Sequence, residues 1–252
     1  MAEVLLNTQN FYFWTENESE QLDLCLGSEA DVDGLELNWP LAYFMTAAAE
    51  FEKLPQNKYT AHLFGGKESL PENGFALLQK HVDQVGVERI VLHPDDFRAP
   101  WYIENQVSSK ICPVALENMD KPHRLGAKLE DLKRVYPEYG KGTEYVLDLC
   151  HCLQIGGVEY AELFINDQEF MSKVNQIHLS VPNVGLDLYS EFGNIPADHV
   201  LCVMNPSVLE PLLNEHKGKL LGKTIVLEGI IPPNRLDLLY DEIAWVRKMF
   251  QG

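Results

Sequence analysis

Asp148 and His151 stand three positions apart in the segment EYVLDLCHCLQIGG, which covers residues 144–157. The segment opens as a short apolar strand, and both polar residues come where that strand ends. At Gly156-Gly157 the pattern changes, and we predict that a helix follows. A carboxylate is a hard metal ligand and an imidazole a borderline one, so the pair could serve one metal-binding cavity. A capping aspartate beside a packed histidine would produce the same pattern.

Potential metal ligands also end most of the other predicted strands. Six of eight strands end in His, Asp or Glu, whereas turn chemistry alone would also place Ser, Thr or Lys there. We therefore favour a metal site over a set of unrelated turn residues. The residues at these strand ends are His62, His93, Glu117, Asp148 with His151, His178 and Glu228.

Three carboxylates and one imidazole form the centre of this set: Glu117, Asp148, His178 and Glu228. These donors suit Mn²⁺, Mg²⁺, Co²⁺ or Zn²⁺ and leave room for substrate oxygens. An ion held there would polarise a substrate carbonyl and acidify the adjacent C–H bond. Glu117 and Glu228, which approach from non-adjacent strands, could then remove a proton from one face of a sugar and return it on the other.

The strands that must bring these residues together are short and almost continuously apolar, which is typical of strands buried on both faces. Most are followed by helical periodicity. Eight such units in 252 residues predict one domain over residues 1–252, a single (β/α)8 TIM barrel of the α/β class. A doubly wound open sheet is the alternative, but the chain has no G-x-G-x-x-G or P-loop sequence. The strands begin near Val4, Leu35, Tyr59, Ile90, Val114, Tyr145, Val174 and Ile225.

Charge and hydropathy narrow the classes of partner. The formal charge of −18 repels phosphate backbones, so we predict that nucleic acid is an unfavourable partner. No apolar run approaches the ~20 residues of a membrane span, and the first residues lack the form of a signal peptide. We expect a cytoplasmic enzyme with a small sugar-like substrate and no membrane partner. Assembly into a homo-oligomer is left open.

The five cysteines are an odd number in a chain with no secretion signal, so we expect reduced thiols rather than disulfides. The triplet Cys150-His151-Cys152 resembles part of a zinc site. In a strand, however, the two cysteines would face away from the histidine, and no second cysteine pair is present. Buried cysteines that pack as small apolar residues are the preferred interpretation.

Four sequence pieces, in this order, resemble the xylose isomerase-like barrel superfamily. They are ALEN at 115–118, LDLCH at 147–151, QIHLS at 176–180 and IVLEG at 225–229, and the likeness extends over most of the chain from Gly34 onward. That superfamily contains sugar isomerases, ketose 3-epimerases, inosose dehydratases and apurinic endonucleases of the endonuclease IV type. The resemblance implies a TIM barrel and a metal-dependent reaction, but it does not specify which one.

The resemblance also implies roles for individual residues. The metal ligands of the superfamily fall on Glu117, Asp148, His178 and Glu228, its catalytic acid/base pair on Glu117 and Glu228, and a contact to a substrate oxygen on His151. We therefore expect an isomerase or epimerase that acts on a sugar or a related polyol or hydroxy-carbonyl compound with one divalent metal ion.

Two further functions remain open. The endonuclease branch of the superfamily binds two or three zinc ions and uses extra histidines that match His62 and His93, so the resemblance also allows a second ion, Zn²⁺. Its third ion needs an Asp-x-His sequence, whereas this chain has Asp187-Leu188-Tyr189. Epimerases of the superfamily often have an arginine in this region, and residues 179–204 contain none. A catalytically inactive barrel used for binding is the other alternative.

Four other histidines are predicted to lie outside the site. His123 falls in a loop beyond the Glu117 strand, where it could touch substrate, although an exposed loop histidine is the preferred interpretation. The remaining three are placed on helices or loops away from the face where the strands end, and no role is predicted for them: His81, His199 and His216.

Overall fold

Eight parallel strands form a closed barrel in the computed structural model of the chain, which describes residues 2–64, 74–94, 107–121, 123, 125–183, 189–192 and 198–251. Each strand pairs with the next one along the chain, and the last pairs with the first. The predicted fold class is therefore confirmed. The barrel strands are β1 (Glu3–Asn7), β2 (Gly34–Pro40), β3 (Lys58–Phe64), β4 (Val87–Leu92), β5 (Val114–Glu117), β6 (Glu144–Asp148), β7 (Val174–Leu179) and β8 (Thr224–Leu227).

Helices cover the outside of the barrel, so that the strands are buried on both faces. In the described part of the chain, six helices are seven or more residues long: α1 (Glu18–Gly27), α2 (Gly74–Val85), α3 (Leu129–Val135), α4 (Leu149–Asn166), α5 (Pro206–Leu220) and α6 (Leu236–Met249). Single helical turns lie at Leu41–Phe44, Ala48–Phe51, Val107–Lys110 and Gln168–Met171. Among the described residues, no helix has the length and apolar character needed to span a membrane.

The register of the barrel strands aligns the ends that carry polar residues. Asp148 at the end of β6 pairs with His178 in β7, and His62 in β3 pairs with Val91, two residues before His93. Successive residues of a strand point to opposite faces of the sheet. The register therefore brings polar side chains to one mouth of the barrel, while the apolar residues that alternate with them pack under the helices.

The helix after β6 begins earlier than the sequence pattern predicts. It starts at Leu149, directly after the strand, because the Asp148 carboxylate accepts a hydrogen bond from the His151 backbone N–H and caps the first turn. Gly156 and Gly157 interrupt the helix, and a second helical segment follows them, as the sequence pattern predicts. They form a kink inside it, where Gly157 has a φ of 70°, a conformation that glycine adopts without steric cost.

The helix predicted at 41–53 is also different in the structure, where it is two separate turns, Leu41–Phe44 and Ala48–Phe51. The Thr46 hydroxyl donates to the carbonyl oxygens of Ala42 and Tyr43, and this competes with a continuous helical hydrogen-bond ladder.

Between β7 and α5 lies a small antiparallel sheet of Val181–Pro182 and His199–Val200. All five cysteines are buried and free.

Candidate metal centre at the barrel mouth

The four residues predicted as metal ligands converge at the carboxyl ends of their strands. Each offers one ligand atom, and these atoms all lie within 4.8 Å of one another. His178 is at the centre of the group: its Nδ1 is 2.7 Å from Glu117 Oε1 and 3.0 Å from Glu228 Oε1. Asp148 is fully buried beside them. One imidazole nitrogen and three carboxylates thus surround a single point, as they do around a divalent ion.

A second group overlaps the first and shares Glu117 with it. His62 Nε2 is 2.9 Å from His93 Nε2, and both nitrogens are 3.3 Å from Glu117 Oε2. Ligand atoms bonded to a tetrahedral zinc ion at 2.0–2.1 Å lie about 3.3 Å from one another. The triangle of two imidazoles and one carboxylate oxygen therefore has nearly the dimensions of a zinc site.

Three atoms of the two groups are buried without a hydrogen-bond partner among the described residues: Glu117 Oε2, Asp148 Oδ2 and His62 Nδ1. Buried polar atoms are normally satisfied, and a binding site for an ion is one of the common reasons for an exception. Two of the three are carboxylate oxygens that face the ligand groups. The residues present therefore fit a divalent cation, and the chemistry of the donors matches Mn²⁺, Co²⁺ or Zn²⁺.

The two oxygens of Asp148 have different surroundings. Oδ1 accepts a hydrogen bond of 2.7 Å from the His151 backbone N–H, so this oxygen is the cap of α4. Oδ2 has no such partner and lies 3.6 Å from His151 Nδ1. One Asp148 oxygen therefore caps the helix, as the alternative interpretation of the Asp148–His151 spacing proposed. The other oxygen is available to bind a ligand.

Asn118 holds Asp148 and His151 in place through three hydrogen bonds. Its side chain donates to the backbone oxygen of Asp148 at 2.8 Å and accepts from the Asp148 backbone N–H at 2.7 Å. Its own backbone carbonyl oxygen lies 2.7 Å from His151 Nδ1. With Nδ1 bound in this way, His151 presents Nε2 as the ring nitrogen available to the cavity.

Below the ligand groups, Glu36 organises a polar layer inside the barrel. Its carboxylate accepts hydrogen bonds from Asn7 Nδ2, Thr60 Oγ1 and Gln176 Nε2, and it lies 3.4 Å from His178 Nε2. A histidine that binds a metal through one nitrogen usually donates its other N–H to a carboxylate. The closer neighbour of His178 Nε2 is Gln176 Nε2 at 2.7 Å, so Gln176 and Glu36 together hold this side of the ring and leave Nδ1 toward the ligand group.

Opposite charges control the protonation of the two buried histidines. Burial alone would lower the pKa of His178 and of His62, but the neighbouring carboxylates outweigh it. Glu228, Glu36 and Glu117 raise the pKa of His178 well above its ordinary value. Glu117 and Glu36 raise the pKa of His62 to about 10. Without an ion, the site therefore holds imidazolium cations in place of metal charge.

The pKa values of Glu117 and Asp148 are shifted in opposite directions. Burial would raise the pKa of Glu117, but His178 and His62 lower it well below its usual value. Burial raises the pKa of Asp148 to about 7, with Glu228 acting in the same direction and His151 opposing it. In the absence of a cation, Asp148 is therefore less readily ionised than Glu117.

A cavity of about 580 Å³ opens above the ligand groups. Glu117 and Glu228 both line it, as do the two histidines of the second group. His151 and His123 contribute to its wall as well, and for His123 this position in a loop at the cavity favours the alternative of a substrate contact. The described residues of the lining include no lysine or arginine.

His199 belongs to the site, contrary to the sequence-based prediction. Its ring lies 5.1 Å from that of His151, its Nδ1 is 2.8 Å from Ser180 Oγ, and burial lowers its pKa. The backbone of Val200 pairs with Val181, and this pairing brings the loop back over the barrel mouth. No spacing rule indicated this position, although the Asp198-His199 pair contains two potential ligands.

The segment Asp187-Leu188-Tyr189 stands where the endonuclease branch has Asp-x-His, and only its last residue is among the described residues. Asp187 and Leu188 lie outside the described residues. Tyr189 is buried, and its hydroxyl donates to the Ile230 carbonyl and accepts from the Leu201 backbone N–H. This tyrosine therefore packs in the loop and does not face the cavity as a ligand. The other two histidines assigned no role, His81 and His216, do lie away from the mouth.

Comparison with known proteins gives structural matches only. No protein-family model matches the sequence, and no curated protein matches it either. Among solved structures, the chain is similar to 3-keto-D-glucoside 4-epimerase YcjR from E. coli, with 16% identity over 98% of this chain and 100% of that one and a TM-score of 0.58.

Two further matches are of the same strength. Endonuclease IV from Thermus thermophilus is 14% identical over 98% of this chain and 100% of that one, with a TM-score of 0.59. A xylose isomerase domain containing protein from Salmonella typhimurium is 13% identical over 99% of this chain and 98% of that one, with a TM-score of 0.58. The chain thus has the fold of the xylose isomerase-like TIM barrels, as its sequence pieces indicated.

Proposed function

We propose that this chain is a divalent-metal-dependent isomerase or epimerase that acts on a small sugar or polyol-like hydroxy-carbonyl compound. One observation carries the proposal: Glu117 and Glu228 contact the same His178 nitrogen and line the same cavity. Two carboxylates at one substrate-sized cavity are what proton removal and proton return at a single carbon need. The structural likeness to a sugar epimerase agrees with this.

The four-residue group of Glu117, Asp148, His178 and Glu228 would hold the ion. When bound, a divalent cation supplies polarisation of the substrate carbonyl. Glu228, whose side chain is 10% exposed, is the more accessible of the two glutamates and would take the proton from the substrate carbon. Glu117, almost fully buried, would be the base for the opposite direction, and His151 Nε2 would contact a substrate oxygen.

The cavity indicates the size and charge of the substrate. A volume of about 580 Å³ lies within the usual range for small-molecule sites, about 300–1,000 Å³. The described part of its lining offers histidines, asparagines and aromatic rings but no lysine or arginine. Such a lining suits an uncharged polyhydroxy compound better than a phosphorylated one, because a phosphate group would need cationic partners.

The test is exchange of a substrate C–H with solvent. Protein loaded with Mn²⁺ is incubated in D₂O with a panel of unphosphorylated ketoses, keto-glycosides and inososes, and deuterium incorporation is followed by NMR. We expect exchange with the wild type, no exchange with Glu228→Gln, and wild-type rates with Glu138→Gln, which changes an exposed glutamate. Metal content is measured for each variant. Equal exchange by wild type and Glu228→Gln would overturn the proposal.

A second function is favoured by one specific observation, the sharing of Glu117 between two ligand groups. A carboxylate that bridges two ions is typical of two-metal phosphoester hydrolysis. The zinc-sized triangle of His62, His93 and Glu117 supports this alternative, as does the likeness to endonuclease IV. The charge of −18 argues against a nucleic acid substrate.

Hydrolysis is tested with Zn²⁺-loaded protein on a duplex that contains an abasic site and on bis(p-nitrophenyl) phosphate. Cleavage that is lost in a His62→Ala, His93→Ala variant would replace the isomerase proposal with a hydrolase. A protein that binds metal but fails both the exchange and the cleavage assays would support the third class, a barrel that has kept its ligands for binding alone.

A further inference from the structure

A second group of potential ligands lies on the outside of the barrel, between two helices. Glu162 comes from α4, and Glu215 and His216 come from α5. Their ligand atoms lie within 4.8 Å of one another, although the two helices are far apart along the chain. None of the three lines the cavity at the barrel mouth.

His216 is the unusual member of this group. It is only 8% exposed, and its Nε2 has no hydrogen-bond partner among the described residues. The closest carboxylate oxygen, Glu162 Oε1, is 3.8 Å away, too far for a hydrogen bond but suited to an intervening cation. A buried imidazole nitrogen that lies beside a carboxylate without a hydrogen bond to it needs a partner.

Among the described residues, no lysine or arginine forms an ion pair with Glu162 or Glu215. Lys219, one turn further along α5, hydrogen bonds to Asn166 instead. The group therefore combines one donor nitrogen with two carboxylates that form no ion pair with a lysine or arginine in the described part of the chain.

We propose that Glu162, Glu215 and His216 bind a divalent transition-metal ion, with Zn²⁺ as the representative. Imidazole nitrogen favours Zn²⁺ and related ions over Ca²⁺ and Mg²⁺, which prefer oxygen donors alone. Three protein ligands leave one tetrahedral position for water. An ion at this position joins α4 to α5, so it stabilises the outer wall of the barrel next to the strands that carry Asp148 and Glu228, without contact to the cavity.

The proposal is tested by zinc stoichiometry after equilibrium dialysis. The wild type is compared with Glu162→Gln/Glu215→Gln, which is nearly isosteric and leaves the buried histidine in place, and with His216→Gln. Glu159→Gln is the matched control, because it removes an exposed carboxylate from α4 without touching the group. We expect both test variants to bind one zinc ion fewer per chain than the wild type, and the control to bind the same number.

The melting temperature distinguishes zinc binding at this group from zinc binding at the barrel mouth. Addition of Zn²⁺ should raise the melting temperature of the wild type and of Glu159→Gln by more than that of Glu162→Gln/Glu215→Gln. Anomalous scattering at the zinc edge should place a peak between the two helices. Equal zinc content in the wild type and both test variants, or no peak between α4 and α5, would overturn the proposal.

Discussion

His62 Nε2 and His93 Nε2 lie 2.9 Å apart, and each is 3.3 Å from Glu117 Oε2. The two histidines come from the ends of adjacent strands, so this contact is a product of the β3–β4 register. Only one proton can lie between two ring nitrogens at this distance. One of the two nitrogens therefore accepts that proton with its lone pair, and an ion bound among the three atoms would take the place of the shared proton.

Metal binding at the mouth should release protons. The pKa of His178 is raised well above its ordinary value and that of His62 to about 10, so both are protonated at neutral pH in the ion-free protein, and a metal-binding imidazole must lose that proton. Affinity therefore rises with pH through neutrality. Calorimetric titration with Mn²⁺ at pH 7, in buffers of different ionisation enthalpy, should show release of about one proton or more per ion. Binding without proton release would contradict the protonation described for these histidines.

Asn118→Ala should weaken both the fold and the site. The substitution removes the two side-chain hydrogen bonds that fix the backbone of Asp148, and loss of buried hydrogen bonds of this kind costs about 1–3 kcal/mol. Urea unfolding and Mn²⁺ affinity measure the two effects. The control is Asn166→Ala, which removes an amide bonded to Lys219 at the surface. Equal changes in both variants would argue against a special role for Asn118.

His199→Ala should lower turnover without removing the ion held by the four-residue group. His199 lies against His151 at the cavity wall, but it is not one of the residues whose ligand atoms converge with those of His178. We expect a fall of about tenfold or more in kcat/KM with unchanged Mn²⁺ content. His81→Ala serves as a comparison for loss of a buried histidine outside the site. Unchanged kcat/KM in His199→Ala would remove this residue from the site.

The packing of β2 against β3 can be tested at Gly34. A Cβ placed there would lie 1.9 Å from the Lys58 carbonyl oxygen, so Gly34→Ala must push the strands apart and should cost about 3 kcal/mol. Gly27, at the end of α1, has no atom within 4 Å of an added Cβ. Gly27→Ala should leave stability unchanged or raise it by up to about 1 kcal/mol. Urea unfolding of both variants measures the difference, and a tolerated Gly34→Ala would mean that the barrel is looser at this point.

The eight strands could be predicted because each is a short apolar run that ends in a polar residue, and all eight predicted starting points fall within or beside the observed strands. A barrel follows from that pattern, since parallel strands need a crossover after each strand. The convergence of Glu117, Asp148, His178 and Glu228 followed from the fold, because strand ends meet at one face. Their roles in binding and catalysis remain predictions.

What could not be predicted depends on contacts between distant parts of the chain. His199 reaches the cavity because Val200 pairs with Val181 in a small antiparallel sheet. Each strand of that sheet has two residues, which is too short to show a periodic pattern. The start of α4 at Leu149 depends on the cap that the Asp148 carboxylate provides, whereas the glycine pair at 156–157 indicated only the kink and the helical segment after it. Glu36 looked like an ordinary polar residue in a strand until the closed barrel placed it under His178.

Metal content is the most direct measurement of the central claim, that the barrel mouth is a metal centre built on His178. It is measured by elemental analysis after dialysis against Mn²⁺, Co²⁺ or Zn²⁺, in the Glu162→Gln/Glu215→Gln background so that only ions at the mouth are counted. We expect at least one ion per chain in this background, loss of that ion in His178→Ala, and retention of it in His62→Ala/His93→Ala. A background protein without stoichiometric metal, or a His178→Ala variant with equal metal, would show that the barrel mouth is not a metal centre built on His178.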